Sequence, residues 1–235
     1  LVDLKIENIL DERRAAEEAK AAEEAAKTPA EPEKDFGMVA VSMGEGFSQI
    51  FRDLTVDHIV EGGQTMNPSI EDILDAVNKV NAKCVFVFPN NGNVILAAQQ
   101  AAELSSKEVY VIPTKNVAMG IAAAVAFQPD MNGEENAQRM AEAAQRVKTG
   151  TVTYAVRDSE WNGVHISAGD IIGLHNGAIE YSGNNVHDVV MEMMKAIVTD
   201  EDELITVYYG ADTKQEDAEA ITAEIQDTYG NCDVE

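Results

Sequence analysis

The sequence is poor in cysteine, proline and tryptophan, and it lacks long apolar runs. Its 235 residues include two cysteines, six prolines and one tryptophan. Cys84 and Cys232 are too few for a disulfide framework, so we expect a reducing, cytoplasmic setting. No run of ~18 apolar residues is present, so we expect no membrane span. The first residues are partly acidic and contain no basic stretch followed by an apolar one, so we expect no signal peptide.

Positive charge is also scarce. Lysine and arginine together number 17, against 42 aspartates and glutamates, which gives a formal net charge of -25. Such a surface repels phosphate backbones and anionic lipids, so we expect neither nucleic acid nor an anionic membrane as a partner. High net charge commonly serves solubility. The alternative is an acidic docking face for a basic protein partner.

The first 35 residues differ in composition from the rest. Residues 1–9 alternate apolar and polar side chains, which is typical of an edge strand and predicts the end of a preceding domain. Residues 11–27 are almost entirely Ala, Glu, Lys and Arg, which favours a helix without a hydrophobic stripe. Pro29 and Pro32 then favour extended chain. We predict an interdomain linker over residues 10–35, and the start at Leu1 rather than Met predicts a part of a longer protein.

Residues 36–150 predict an α/β lobe with a parallel sheet. Short apolar runs rich in Val, Ile and Phe alternate with helical segments, which is typical of strands buried on both faces. The predicted strands are Met38–Val41, His58–Val60, Cys84–Phe88 and Val109–Ile112. The predicted helices cover about Gly46–Leu54, Ser69–Asn81, Asn93–Leu104, Val117–Phe127 and Glu134–Lys148.

Residues 151–235 predict a second, smaller α/β or α+β lobe. Asn176-Gly177 between two apolar runs is a strong hairpin signal. The predicted strands are Thr151–Val156, Asp170–Leu174, Ala178–Tyr181 and Leu204–Tyr209, with a further strand beginning near Asn231. The predicted helices are Val186–Val198 and Lys214–Tyr229.

Three predicted loops leave strand ends and enter helices, where open parallel sheets bind ligands. They are Glu61–Ser69, Pro89–Asn93 and Pro113–Asn116, and all three are rich in amide, hydroxyl and glycine groups. In the first loop, Asn67 suits a helix N-cap and Pro68 the first helical position. That local interpretation leaves Gln64, Thr65 and Met66 unexplained. In the second loop, Asn91-Gly92 is an ordinary turn signal and Asn93 is an ordinary helix cap. The candidate rim residues are Gly62, Gly63, Gln64, Thr65, Met66, Asn67, Ser69, Asn90, Asn91, Asn93, Thr114 and Lys115.

Nothing in the sequence independently indicates catalysis. No Ser/His/Asp or Cys/His set can be assembled, no phosphate-binding loop with its lysine is present, and the histidines and cysteines lack zinc-ligand spacing. Ser42-Met43-Gly44-Glu45-Gly46 contains Gly-x-Gly after a strand, but Gln49 interrupts the dinucleotide-binding pattern. We therefore assign no catalytic or metal-binding residue.

Three motifs resemble one family in order. They are Gly62–Ser69, Asn93–Ala101 and Val111–Lys115. They are similar to the C-terminal region of the dihydroxyacetone-kinase-like (DhaL/DAK) proteins of Gram-positive bacteria, which form the kinase component of bacterial fatty acid kinase. Leu4–Asn8 resembles the end of that family's middle domain, so the resemblance covers the whole chain.

The resemblance implies a division of labour between domains. An N-terminal domain binds ATP and magnesium, a middle domain has a metal-binding, catalytic role, and the C-terminal region docks a separate fatty-acid-carrier protein. The implied fold is DegV-like (EDD-type), as in the carrier itself. Residues 65–69 differ from the acyl-binding loop of those carriers. A homodimer would form through the full-length protein.

Three functions follow as hypotheses. The first is a carrier-docking domain of a fatty acid kinase, without a cofactor of its own. The second is an autonomous small-ligand or acyl-lipid binding module of DegV type. The third, an enzyme acting alone, lacks a phosphate loop and a metal cluster.

Overall fold

A computed structural model describes residues 32–63, 66–161, 163–211 and 213–235. The chain divides into two compact units, with the boundary between Val147 and Lys148. The predicted strand over residues 1–9 and the predicted helix over residues 11–27 lie outside the described residues. Within the described residues, no helix combines the length and apolar character needed to cross a membrane.

A four-stranded parallel sheet forms the centre of the first unit, as predicted. Its strand order is β2-β1-β3-β4. The predicted linker extends too far, because β1 already begins at Lys34. The strands are β1 Lys34–Ser42, β2 His58–Glu61, β3 Ala82–Phe88 and β4 Glu108–Val111. The helices are α1 Glu45–Asp53, α2 Ile70–Lys79, α3 Ile95–Leu104, α4 Val117–Val125 and α5 Gly133–Arg146.

Apolar side chains cover both faces of this sheet. Successive strand residues point to opposite faces, so β1 supplies Val39 and Val41 to one core and Met38 and Ala40 to the other. The first core packs against α2 and α3, and the second packs against α1, α4 and α5. Burying each large apolar side chain stabilises the fold by roughly 1.5–3 kcal/mol. This double burial is the reason that the strands read as continuous apolar runs.

Helix starts differ in detail from the sequence expectations. Ser69 is the N-cap of α2, and it forms a capping box with Asp72. Asn67 and Pro68 therefore precede the helix, so their predicted capping roles are wrong. The predicted cap at Asn93 is also wrong, because Val94 occupies the N-cap position of α3 and makes no side-chain cap. In both cases a turn that meets neighbouring loops delays the helix by one or two residues.

The described residues of the second unit form three small sheets and two helices. An antiparallel sheet has the order β5-β8-β9, β6 and β7 form a hairpin, and β10 pairs in parallel with β11. The strands are β5 Gly150–Tyr154, β6 Ser159–Trp161, β7 Val164–Ile166, β8 Ile171–His175, β9 Ala178–Gly183, β10 Leu204–Ile205 and β11 Asp233–Val234. The helices are α6 Val186–Ile197 and α7 Gln215–Thr228.

The hairpin predicted at Asn176-Gly177 is confirmed. Both residues have positive φ angles, 50° and 86°, which suits a two-residue turn between twisted strands. The sequence reasoning missed the β6–β7 hairpin, whose strands are three residues long. It also made β10 too long, because the strand ends at Ile205 rather than Tyr209. Ile166 of that missed hairpin packs with Ile172 and Ala155 in a core of its own.

Candidate functional site

The carboxyl ends of the parallel strands bring the predicted loops together at one edge of the first sheet. The first loop is held at the end of β1, because Gly62 N–H donates to Ser42 O at 3.1 Å. Gly63 N–H donates to Met66 O at 3.0 Å and closes the turn. Gly62 has a φ of 155°, and a Cβ there would lie 2.8 Å from Met66 O, so a larger residue would open the loop. Gln64 and Thr65 lie outside the described residues.

Asn91 joins the second loop to the first. Its Nδ2 donates to Gly63 O at 2.8 Å, and its Oδ1 accepts from Asn93 N–H at 2.9 Å. The side chain therefore fixes its own turn and the neighbouring loop simultaneously. Asn91 was interpreted from the sequence as an ordinary turn residue, and its role across loops is visible only in the structure.

Asn90 joins the second loop to the third and to β1. Its backbone N–H donates to Thr114 Oγ1 at 3.0 Å, and its Nδ2 donates to Val41 O at 2.8 Å. Asn90 and Thr114 are both buried, and Asn90 has a positive φ of 53°. A left-handed conformation is uncommon outside glycine, and asparagine tolerates it better than most residues. Gly63, Asn90, Asn91 and Thr114 thus form one connected edge, here called the rim.

The other predicted residues lie outside this network of bonds. Met66 and Asn67 are exposed, and Ser69 caps α2 through Asp72. Lys115 is exposed, and its backbone N–H donates to Met119 Sδ at 3.5 Å. Apart from the bond of Gly63 N–H to Met66 O, the described bonds do not connect these residues to the rim.

Ser42 lies beside the rim, and the sequence reasoning underrated it. It ends β1, is 1% exposed, and its Oγ has no hydrogen-bond partner among the described residues. Asn90 Oδ1 is likewise buried without a partner in that part of the chain. It lies against α4, because a Cβ built on Gly120 would approach it to 2.0 Å. The signal for Ser42 was its position directly after a buried strand, followed by the glycine-rich turn at Gly44.

A groove of about 360 Å³ lies next to the rim, between β2 and α2. We call it the β2 groove. It combines the outer edge of β2, which pairs with no other described strand on that side, the end of the first loop and one side of a helix. Its lining residues are His58, Ile59, Val60, Glu61, Met66, Asn67, Pro68, Asp72, Asp75 and Lys79.

The β2 groove carries net negative charge. Three carboxylates face one lysine, and the hydrogen bonds from Ser69 lower the pKa of Asp72, so that group is ionised near neutral pH. Burial, followed by the charge of Lys79, lowers the pKa of His58, so the imidazole is largely neutral at pH 7 and adds no positive charge. A groove of this charge favours cationic groups.

The cysteines are not activated for chemistry. Burial raises the pKa of the Cys84 thiol to about 12, so it stays protonated near neutral pH. Cys232 lies directly before β11. It is buried, and its thiol donates to Asp202 O at 3.0 Å. Within the described ranges, no three His, Cys, Asp or Glu side chains cluster as metal ligands would.

These features define a mixed α/β chain with a polar loop edge and an acidic groove in its first unit. Comparison with known proteins identifies the family of the chain. The sequence model of the FakA-like C-terminal family of fatty acid kinase matches residues 37–235. The chain belongs to this family.

Relatives in two species support the assignment. Protein YloV of Bacillus subtilis (strain 168) is 40% identical over 237 residues, which cover 100% of this chain and 42% of YloV. The uncharacterized protein SAR1202 of Staphylococcus aureus (strain MRSA252) is 35% identical over 235 residues, again 100% of this chain and 42% of the relative. The chain thus spans less than half the length of these relatives. Among solved structures, the phosphotransferase system component EIIA from Streptococcus agalactiae aligns with 47% of this chain over 92% of its own length, at a TM-score of 0.33 and 13% sequence identity.

Proposed function

We propose that this chain is the carrier-docking region of a fatty acid kinase. A DegV-type fatty-acid-carrier protein binds to it, and the acyl carboxylate of the carried lipid is phosphorylated by an ATP- and magnesium-binding domain of the whole protein. The chain itself supplies recognition and holds no cofactor. Its fold is DegV-like, and the whole protein works in the cytoplasm and forms a homodimer.

The family match over residues 37–235 carries this proposal. Two structural features support it. The rim is fixed by hydrogen bonds between loops before any partner arrives, which lowers the ordering cost of binding. The formal charge of -25 supplies a long-range field that accelerates encounter with a basic surface.

Calorimetric titration of the chain with the carrier protein from the same genome tests the proposal. We expect saturable binding at low ionic strength that weakens as salt rises, because screening acts over about 10 Å at 0.1 M salt. Absence of detectable binding at low salt would refute the docking function.

The rim itself is tested by Asn91→Asp, which keeps the size of the side chain but removes the donor to Gly63 O. We expect a several-fold weaker carrier affinity. The control is Asn78→Asp, which makes the same charge change at an exposed position of α2 outside the rim. Equal effects of the two substitutions would remove the rim from the docking surface.

A second candidate function is a small-ligand site at the same edge. The specific observation is the pair of buried polar atoms without partners among the described residues, Ser42 Oγ and Asn90 Oδ1. Ser42 ends β1 and Asn90 follows β3. The strand order β2-β1-β3-β4 reverses direction between these two strands, and sheets of this kind commonly bind ligands at such a point. Native mass spectrometry of the purified chain tests this candidate, and a mass equal to that of the bare polypeptide argues against it.

A further inference from the structure

The β2 groove has a strand edge as one wall. In the described sheet, β2 pairs only with β1, so its other edge has no strand beside it. Alternate residues of a parallel edge strand direct their backbone N–H and C=O groups away from the sheet. Such an edge is a template for one more strand from another chain.

The opposite wall of the groove supplies charge. Asp72, Asp75 and Lys79 project from α2, and Glu61 ends β2. Asp72 is committed to the capping box with Ser69, whereas the side chains of Glu61 and Asp75 are exposed and make no described hydrogen bond. These two carboxylates are therefore available to cations of a partner.

Met66 contributes an apolar side chain to the lining of the groove. Met66 is 75% exposed there, and its flexible thioether adapts to differently shaped partners. Met66 also belongs to the first loop, so the groove continues the rim.

We propose that the β2 groove binds an extended, basic segment of the carrier protein, which adds a strand beside β2. This inference rests on the proposed docking function and specifies its contact. Backbone groups of the segment pair with β2, its lysine or arginine side chains reach Glu61 and Asp75, and an apolar side chain covers Met66.

The dimensions and charge of the groove favour this occupant over others. A volume of about 360 Å³ accepts a few side chains beside a four-residue strand, but not a folded domain. The excess of carboxylates opposes a fatty acid or phosphate, since either would bring further negative charge next to Glu61 and Asp75.

Charge reversal in the groove tests the inference. The whole chain carrying Glu61→Lys and Asp75→Lys should bind the carrier at least tenfold more weakly at low salt, because two attractive contacts become repulsive. The matched control carries Glu103→Lys and Glu142→Lys, the same charge change at exposed positions of α3 and α5 that do not line the groove. We expect the control to remain within about threefold of the original affinity, because only the long-range field changes.

Hydrogen exchange distinguishes strand addition from simple charge attraction. In the complex, the outward-facing amides of β2 should exchange more slowly, while those of β4 at the other edge of the sheet should not change. If the exchange of the β2 amides is unchanged, or if the groove variant and its control weaken carrier binding equally, strand addition beside β2 is wrong. The docking function would still stand in that case, because the original chain binds the carrier. A chain that binds no carrier would overturn both.

Discussion

Asn136 is a buried polar residue that holds the loop before its own helix. It is 0% exposed, its Oδ1 accepts from Gln128 N–H at 2.8 Å, and its Nδ2 donates to Gln128 O and Met131 O. Alanine would remove these bonds to Gln128 and Met131 and leave a gap where the buried amide lies. We predict that Asn136→Ala destabilises the first unit by about 2–4 kcal/mol. The loss is measured by urea unfolding, with labelling of the Cys84 thiol as the signal for unfolding of the first unit.

The control for this residue is Gln138→Ala on the same helix. Gln138 is exposed and bonds to Glu142 one turn away, so the expected loss is below about 0.5 kcal/mol. Similar losses for both variants would mean that the Asn136 bonds contribute no more than an average surface contact.

Lys107 acts at the scale of an element, because it neutralises the end of α2. Its Nζ donates to Val77 O at 2.9 Å and to Asn78 O at 3.1 Å, and also to Val80 O. The last carbonyls of a helix lack internal partners and carry partial negative charge. We predict that Lys107→Met, which keeps the apolar stem, costs about 1–2 kcal/mol in the stability of the first unit.

Lys79→Met provides the comparison in the same urea experiment. Lys79 is also in the last turn of α2 but is exposed, so solvent already screens its charge and the expected loss is below about 0.5 kcal/mol. An equal loss at Lys79 would show that the helix dipole, rather than the three hydrogen bonds, accounts for the effect.

His187 links α6 to α7 and makes the second unit sensitive to pH. Its Nε2 bonds to Glu224 Oε2 at 2.5 Å, and this bond, with a second one to Asp188, raises the pKa of the imidazole. A raised pKa means that the stabilisation is fully present below about pH 6.5 and is lost as pH rises through the higher folded value. The effect should stay below about 1 kcal/mol, since the pair is exposed.

Fluorescence of Trp161, the single tryptophan, follows urea unfolding of the second unit at pH 6 and pH 8. The original chain should lose stability between these values, and His187→Gln should lose less. Glu224→Gln removes the main partner and should have the same effect. If the pH dependence of stability persists in both variants, groups other than His187 and Glu224 cause it.

At the scale of the whole molecule, each unit contains one buried cysteine, Cys84 in the first and Cys232 in the second. Neither thiol should react with a labelling reagent in the native protein, since both are buried and the pKa of Cys84 is raised. In Cys232→Ala the remaining thiol reports opening of the first unit, and in Cys84→Ala it reports opening of the second.

We predict that the two thiols become reactive at different urea concentrations, because the two units have separate cores. Coincident midpoints would mean that the chain unfolds as one cooperative body. Rapid labelling without urea would contradict the burial itself.

The sequence by itself determined the parallel sheet and most of its helices. Strand segments buried on both faces must be apolar throughout, and Met38–Val41 of β1 and Cys84–Phe88 of β3 show that pattern without tertiary information. Asn176-Gly177 determined its hairpin for a similar local reason, because few residue pairs tolerate two positive φ angles. The motifs around Gly62, Asn93 and Val111 also indicated the family that the comparison shows.

Only the tertiary structure decided how the loop residues are used. The sequence predicted an ordinary turn at Asn91 and placed Asn90 in the same loop, yet their partners Gly63 and Thr114 lie 28 and 24 positions away. The conformational preference of a residue depends on its neighbours in the sequence, so it cannot predict contacts between residues this far apart. The β2 groove depends in the same way on the distance between a strand edge and a helix, which follows from packing rather than from composition.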